Sequence, residues 1–84
     1  MLHNHIKGAR LIIIGAGAYG HEVASYAEEI FEEEKDSQAK IFFIDDWSGA
    51  KSERPEWPLI GSFASFKKEP NDVFIIALGD PEKR

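Results

Sequence analysis

Three stretches of the chain are apolar without interruption, and the segments between them are mixed. "LIII" within Arg10–Ile14, "IFFI" within Lys40–Ile44 and "VFIIAL" over Val73–Leu78 lack the alternation of a strand with one wet face. Continuous runs of this length read as strands buried on both sides, as in a parallel sheet covered by helices. Between the first two, Val23, Ala27, Ile30 and Phe31 recur at i, i+4, i+7 and i+8, one face of a helix running from Ala18 to Glu34. Between the second and third come a Pro-rich loop, "RPEWP", and a shorter helical element, "SFASFKKE". There Ser62 is placed as an N-cap, and Phe63 and Phe66 share a face. The order βαβαβ makes the fold class α/β, with helices layered on a small parallel sheet.

Strand order follows from handedness. Crossovers between parallel strands are right-handed in nearly all proteins. In the order 3-2-1 both crossovers would lie on one face and leave an equally apolar face bare. In the order 2-1-3 the chain reverses direction and its two connections cover opposite faces, so strand 1 is expected in the middle. Ligands of open α/β sheets bind where the order reverses, beyond the carboxyl ends of the strands. Three segments should meet there: the glycine turn after strand 1, "DDW" after strand 2 and "GDPE" after strand 3. With three strands, both edges of the sheet are expected to be open.

Composition narrows the function. Eighty-four residues make one small domain, spanning 1–84, and the 43% hydrophobic content supports a real core. There is no cysteine, which excludes disulfides and thiolate metal sites. The N-terminal apolar run is too short for a signal peptide or a membrane span, so a cytoplasmic setting is the default. Net charge is −5, concentrated in "EEIFEEEKD", with Glu32 to Glu34 read as a solvated helix end. An acidic domain without a Lys/Arg stripe is a poor partner for nucleic acid. A phosphate would have to be held by local backbone N–H groups.

"GAGAYG" supplies such groups. Gly15, Gly17 and Gly20 form G-x-G-x-x-G between a strand and a helix. Gly15 allows the tight turn, Gly17 leaves room for a phosphate, and Gly20 lets helix and strand approach. The helix N-terminus behind the turn favours an anion. Asp45 and Asp46 end strand 2. In dinucleotide sites an acid there takes the ribose hydroxyls, about 20 residues beyond the glycines; Asp45 lies 25 beyond Gly20. The competing reading is a solvated turn in which Asp46 caps the loop starting at Trp47. Tyr19, inside the turn, either contacts a ligand or packs. His21, in the first helical turn, is expected to be exposed, and His3 and His5 to be solvated tail residues, not metal ligands. "GDPEKR" begins a helix with an N-cap, Asp80, and Pro81 behind it, then stops; it reads as the cut end of a longer protein. From the residues alone three ligand states stay open: a dinucleotide, as in an NAD(P)-binding module of an oxidoreductase or redox sensor, another phosphate-bearing molecule, or an empty turn. No nucleophile, base and oxyanion hole assemble in the chain.

Four ordered motifs add a resemblance. "LIIIGAGAYGHEVA", "FFIDDWSGAK", "PLIGSFASF" and "VFIIALGDPEKR" resemble the N-terminal domain of bacterial sugar acetyltransferases, the PglD-like and NeuD-like enzymes, over residues 8 to 84. Their order matches G-A-G-G-[HF]-G, a D-D pair, P-[VI]-[LI]-G and [IL]-G-[DN]. The resemblance implies a Rossmann-like domain that binds a nucleotide sugar, commonly a UDP-sugar, and itself holds no cofactor. It also implies a following hexapeptide-repeat β-helix, absent here, that binds acetyl-CoA as co-substrate, supplies a histidine base and builds a homotrimer. By position, Gly17, Ala18 and Tyr19 would meet the UDP portion, Asp45 and Asp46 the uridine, and Gly79 and Glu82 would lie beside it. The chain departs from the family at Ala18-Tyr19, where Gly-His is common, although the Phe variant of the motif makes an aromatic at position 19 familiar.

Overall fold

The computed structural model describes residues 8–47 and 49–77. Strand β1 (Arg10–Ile14) leads into helix α1 (Ala18–Glu33), then strand β2 (Lys40–Ile44), and after a long connection strand β3 (Asp72–Ile76). The sheet is parallel throughout, in the order β2-β1-β3. Register is aligned at the strand starts: Arg10 lies between Lys40 and Asp72, and Ile14 between Ile44 and Ile76. The expected central position of β1 and the Rossmann-like α/β class are what the molecule has.

β1 is buried on both faces, as its sequence requires. Leu11 and Ile13 pack with Ala24, Ala27 and Phe31 of α1 and with Ile41 and Phe43 of β2. Ile12 and Ile14 point to the other face, where they join Ile44, with Phe42 and Phe66 packed against them. The buried stripe of α1 is Gly20, Ala24, Ala27 and Phe31. Val23 and Ile30, expected in that stripe, are half-buried at its margins. Small residues dominate the stripe because the helix lies close to the sheet.

The helix ends in a Schellman turn: the Lys35 N–H donates to Glu32 O at 3.1 Å and the Asp36 N–H to Phe31 O at 2.9 Å. Lys35 takes the left-handed conformation this demands, with φ +57°. Glu32 and Glu33 are solvated and Glu34 is half-buried, whereas Asp36, two residues on, is buried. Its carboxylate accepts the N–H groups of Gly8, Gln38 and Ala39 at 3.1–3.2 Å and so ties the entry of β1 to the turn before β2.

Three expectations fail on the connection from β2 to β3. "SFASFKKE" forms one turn at Ser62–Phe66, in which Ser62 O accepts from the N–H of Ser65 and of Phe66, and goes no further as a helix. α1 is thus the one helix among the described residues, and it packs on β1 and β2. Among the described residues β3 is covered sparsely: the Phe66 ring meets that of Phe74 edge-on at 5.7 Å, but Val73, Phe74, Ile75 and Ile76 are all exposed, Ile76 by 70%. Its apolar run reads as a doubly buried strand, yet the described residues leave most of it exposed. The opposite edge of the sheet is not open. Residues 58–61, the "PLIG" motif, run parallel to β2: the Phe43 N–H donates to Pro58 O and the Ile60 N–H to Phe43 O, both at 2.9 Å, and the Asp45 N–H to Gly61 O at 3.1 Å. This short segment satisfies the edge of β2, which blunts one route to edge-to-edge pairing. Trp57, inside "RPEWP", is carried by the same loop into the core and is 3% exposed.

Candidate functional site

The glycine turn leaves β1 with its first N–H, that of Gly15, donating to Ile44 O at 2.9 Å. Gly15 has φ +114°, which a side chain rarely adopts. Gly20 is a contact residue: a β-carbon there would run into Gly15 O and lie 3.3 Å from the Phe43 ring. Gly17 differs, since a β-carbon on it would meet nothing within 4 Å. It is the N-cap of α1, with no side-chain cap and no acid in the first helical turn. The positive end of the helix thus meets open space, the arrangement that favours an anion.

Beside it lies a cleft of about 360 Å³. One wall is Ala16, Gly17, Ala18 and His21; the other is the loop carrying Trp47, Gly49, Lys51 and Glu53. The Trp47 ring is 71% exposed and lies against Gly49, whose missing side chain makes the room: a β-carbon there would sit 2.7 Å from the ring. A smaller recess on the other side of Asp45, about 190 Å³, is lined by Ile14, Ile44, Asp45, Asp46 and Phe63. Both lie at the carboxyl ends of β1 and β2, where the topology directs a ligand.

The two aspartates have distinct duties. Asp45 accepts the Ala16 N–H on Oδ2 and the Trp47 N–H on Oδ1, both at 2.8 Å. It therefore joins the glycine turn to the loop facing it, and it caps the loop that Asp46 was expected to cap. Asp46 instead accepts the Phe63 N–H at 2.6 Å and holds the turn after "PLIG". A carboxylate has about four acceptor directions, so both acids retain acceptor capacity beyond these bonds.

His21 is not the exposed residue expected. It is half-buried, with its ring 4.7 Å from that of Phe43 and 6.2 Å from that of Trp57. The Glu53 N–H donates to its Nε2 at 2.9 Å, so the proton of the neutral ring is on Nδ1, which donates to Gly17 O at 2.9 Å. Sequence reading missed this because i to i+4 spacing from the N-cap reveals a neighbour of Gly17 but not a partner 32 residues away. Tyr19 packs against the helix-side core and lines a shallow recess with Tyr26 and Glu29, away from the cleft beside Gly17. Gly79 and Glu82, together with Leu78, Asp80, His3 and His5, fall outside the described residues. Among the described residues there is no group of three side chains arranged to hold a metal, and no helix long and apolar enough to cross a membrane.

A glycine turn opening on a cleft, a D-D pair that clamps the turn through Asp45 and the segment after "PLIG" through Asp46, and the "PLIG" edge segment itself are held together in one frame. A model of the PglD N-terminal domain matches residues 10–84. The chain belongs to the PglD N-terminal domain family. This is the N-terminal domain of a sugar acetyltransferase family. No curated protein and no solved structure matches the chain. In this PglD N-terminal domain the matched region begins at Arg10 and so includes the turn, both aspartates and the edge segment. Next to Glu53, Arg54 lies between Glu28 and Glu56 at 3.4 and 2.9 Å, with its guanidinium 4.3 Å from the centre of the Trp57 ring. The contact with Arg54 holds the Glu56 carboxyl below its usual range.

Proposed function

We propose that the domain binds the nucleotide portion of a UDP-sugar for a sugar N- or O-acetyltransferase. The observation that carries this reading is Gly17, an uncapped helix N-terminus with open space in front of it, facing a loop that presents Trp47 and Lys51. The diphosphate would accept backbone N–H bonds at Gly17 and Ala18, with Lys51 as the nearby cation. The rim of Asp45 and Asp46 would take the N–H and O–H donors of uridine through the acceptor capacity their structural bonds leave. The family resemblance also implies contacts to the nucleotide from Gly79 and Glu82.

The domain's contribution to acetyl transfer is binding and orientation. In the full enzyme a sugar amine or hydroxyl attacks the acetyl-CoA thioester carbonyl, the carbon–sulfur bond breaks and coenzyme A leaves as the thiol. A histidine base elsewhere takes the proton from the attacking group. That step, the β-helix holding acetyl-CoA and the homotrimer it builds belong to this proposal, as does a cytoplasmic location. The 84-residue chain is expected to bind without turnover.

The helix dipole contributes only about 0.3–1 kcal/mol at an exposed site. Net charge −5 opposes a diphosphate, so affinity rests on local bonds and is expected on the order of 0.1–1 mM for UDP. Calorimetric titration of the chain with UDP, a UDP-amino sugar and NADH tests the proposal. Heat with the two uridine ligands and none with NADH supports it; saturable NADH binding with no response to UDP overturns it in favour of a dinucleotide module.

A further inference from the structure

The cleft beside Gly17 has two walls from different parts of the chain, and one side chain bridges them. His21 rises from the first turn of α1, accepts the Glu53 N–H on Nε2 and donates from Nδ1 to Gly17 O, both at 2.9 Å. Its ring packs against Phe43 at 4.7 Å and against Trp57, itself buried, at 6.2 Å. At the other end of the loop Asp45 fixes the Trp47 N–H. The loop of Trp47 to Glu53 is thus pinned at both ends, by Asp45 at its start and by His21 at its finish. Between the pins it carries Gly49, Lys51 and the exposed Trp47 ring across from the helix N-terminus.

We propose that His21 is a positioning residue for the ligand of this cleft: as the neutral Nδ1–H tautomer it holds the facing loop at the distance a phosphate-bearing ligand needs, without touching the ligand's reacting atoms. The inference rests on the nucleotide reading above for the identity of the ligand, but the anchor itself does not. Lysine or arginine could not replace the ring, since neither has an acceptor for the Glu53 N–H.

The test uses two variants of the 84-residue chain. His21→Phe keeps a ring against Phe43 and Trp57 but has no polar atoms; His21→Gln restores an acceptor for the Glu53 N–H. In the wild type, nitrogen NMR is expected to show the Nδ1–H tautomer and a coupling across the hydrogen bond from Glu53 N to His21 Nε2. His21→Phe is expected to retain the fold by circular dichroism, to speed amide exchange about tenfold at Gly49–Glu53 only, and to weaken UDP binding about tenfold; His21→Gln recovers part of both. A purely structural role would instead lower stability and speed exchange throughout the sheet. An Nε2–H tautomer, unchanged loop exchange in His21→Phe, or faster exchange with unchanged UDP affinity each overturns the proposal. A wild-type chain with the expected coupling and loop protection that binds no UDP overturns the UDP reading while upholding the anchor.

Discussion

The Asp45 carboxylate accepts the Ala16 N–H at 2.8 Å, so the end of β2 holds the glycine turn that leaves β1. The same carboxylate holds the Trp47 N–H, also at 2.8 Å. An acid read from sequence as a ligand acceptor is, in the folded chain, first a clamp between the two backbone segments that frame the cleft.

Asp45→Ala removes both acceptors at a half-buried position and is expected to cost about 1–3 kcal/mol. Asp45→Asn should recover little of this, because its amide sets an N–H against one of the two backbone N–H donors. Urea denaturation of both variants measures the cost. A loss of UDP affinity in either variant would report on the shape of the turn as well as on direct contact.

Gly17 and Gly20 should separate binding from stability. Gly20→Ala drives a β-carbon into the Gly15 carbonyl and is expected to cost about 1–3 kcal/mol or to prevent folding, as backbone atoms cannot yield cheaply. Gly17→Ala meets open space at φ −83° and should change stability by less than about 1 kcal/mol, while weakening UDP binding. Paired thermal melts and calorimetry decide between these outcomes.

Arg10 and Asp72 stand opposite each other at the starts of β1 and β3, with Nε–Oδ1 at 2.7 Å and Nη2–Oδ2 at 3.1 Å. Hydrogen bonding from Arg10 holds the Asp72 carboxyl below its ordinary range, against the opposing effect of burial. The lower value in the folded state means that the stabilisation is fully present above the unfolded carboxylate value, about 3.9, and is lost as pH falls through the folded one. Stability measured by urea from pH 6 downward should therefore fall in acid, and the slope should be shallower in Asp72→Asn.

Lys35 holds a left-handed conformation at the end of α1. Lys35→Gly removes the clash of the β-carbon and is expected to stabilise the chain by about 0.5–1 kcal/mol, less the entropy glycine adds to the unfolded state. Failure of the urea midpoint to rise would mean that the Lys35 side chain contributes contacts that offset its backbone strain.

How far the site was legible varies with the range of the interaction. The roles of Gly15 and Gly20 follow from spacing because strand, turn and helix are contiguous, and local geometry leaves few alternatives. The long-range bonds of Asp45 and Asp46 were not legible, since the donors, Ala16 and Phe63, lie 29 and 17 residues away. Trp57 in its Pro-rich loop carries a signal of its own: a large aromatic among turn residues needs a place to pack.

By itself the sequence determined the three strands, the helix between the first two and, through the right-handedness of crossovers, the central place of β1. Those follow from periodicity and chirality, which act along the chain. Only the tertiary structure decided that "PLIG" covers the edge of β2, that β3 is left largely exposed by the described residues and that His21 links the glycine turn to Glu53. Each depends on which segment arrives beside which. An apolar run states that a strand can be buried, but its burial requires a neighbour, and the one helix among the described residues packs mainly on β1 and β2.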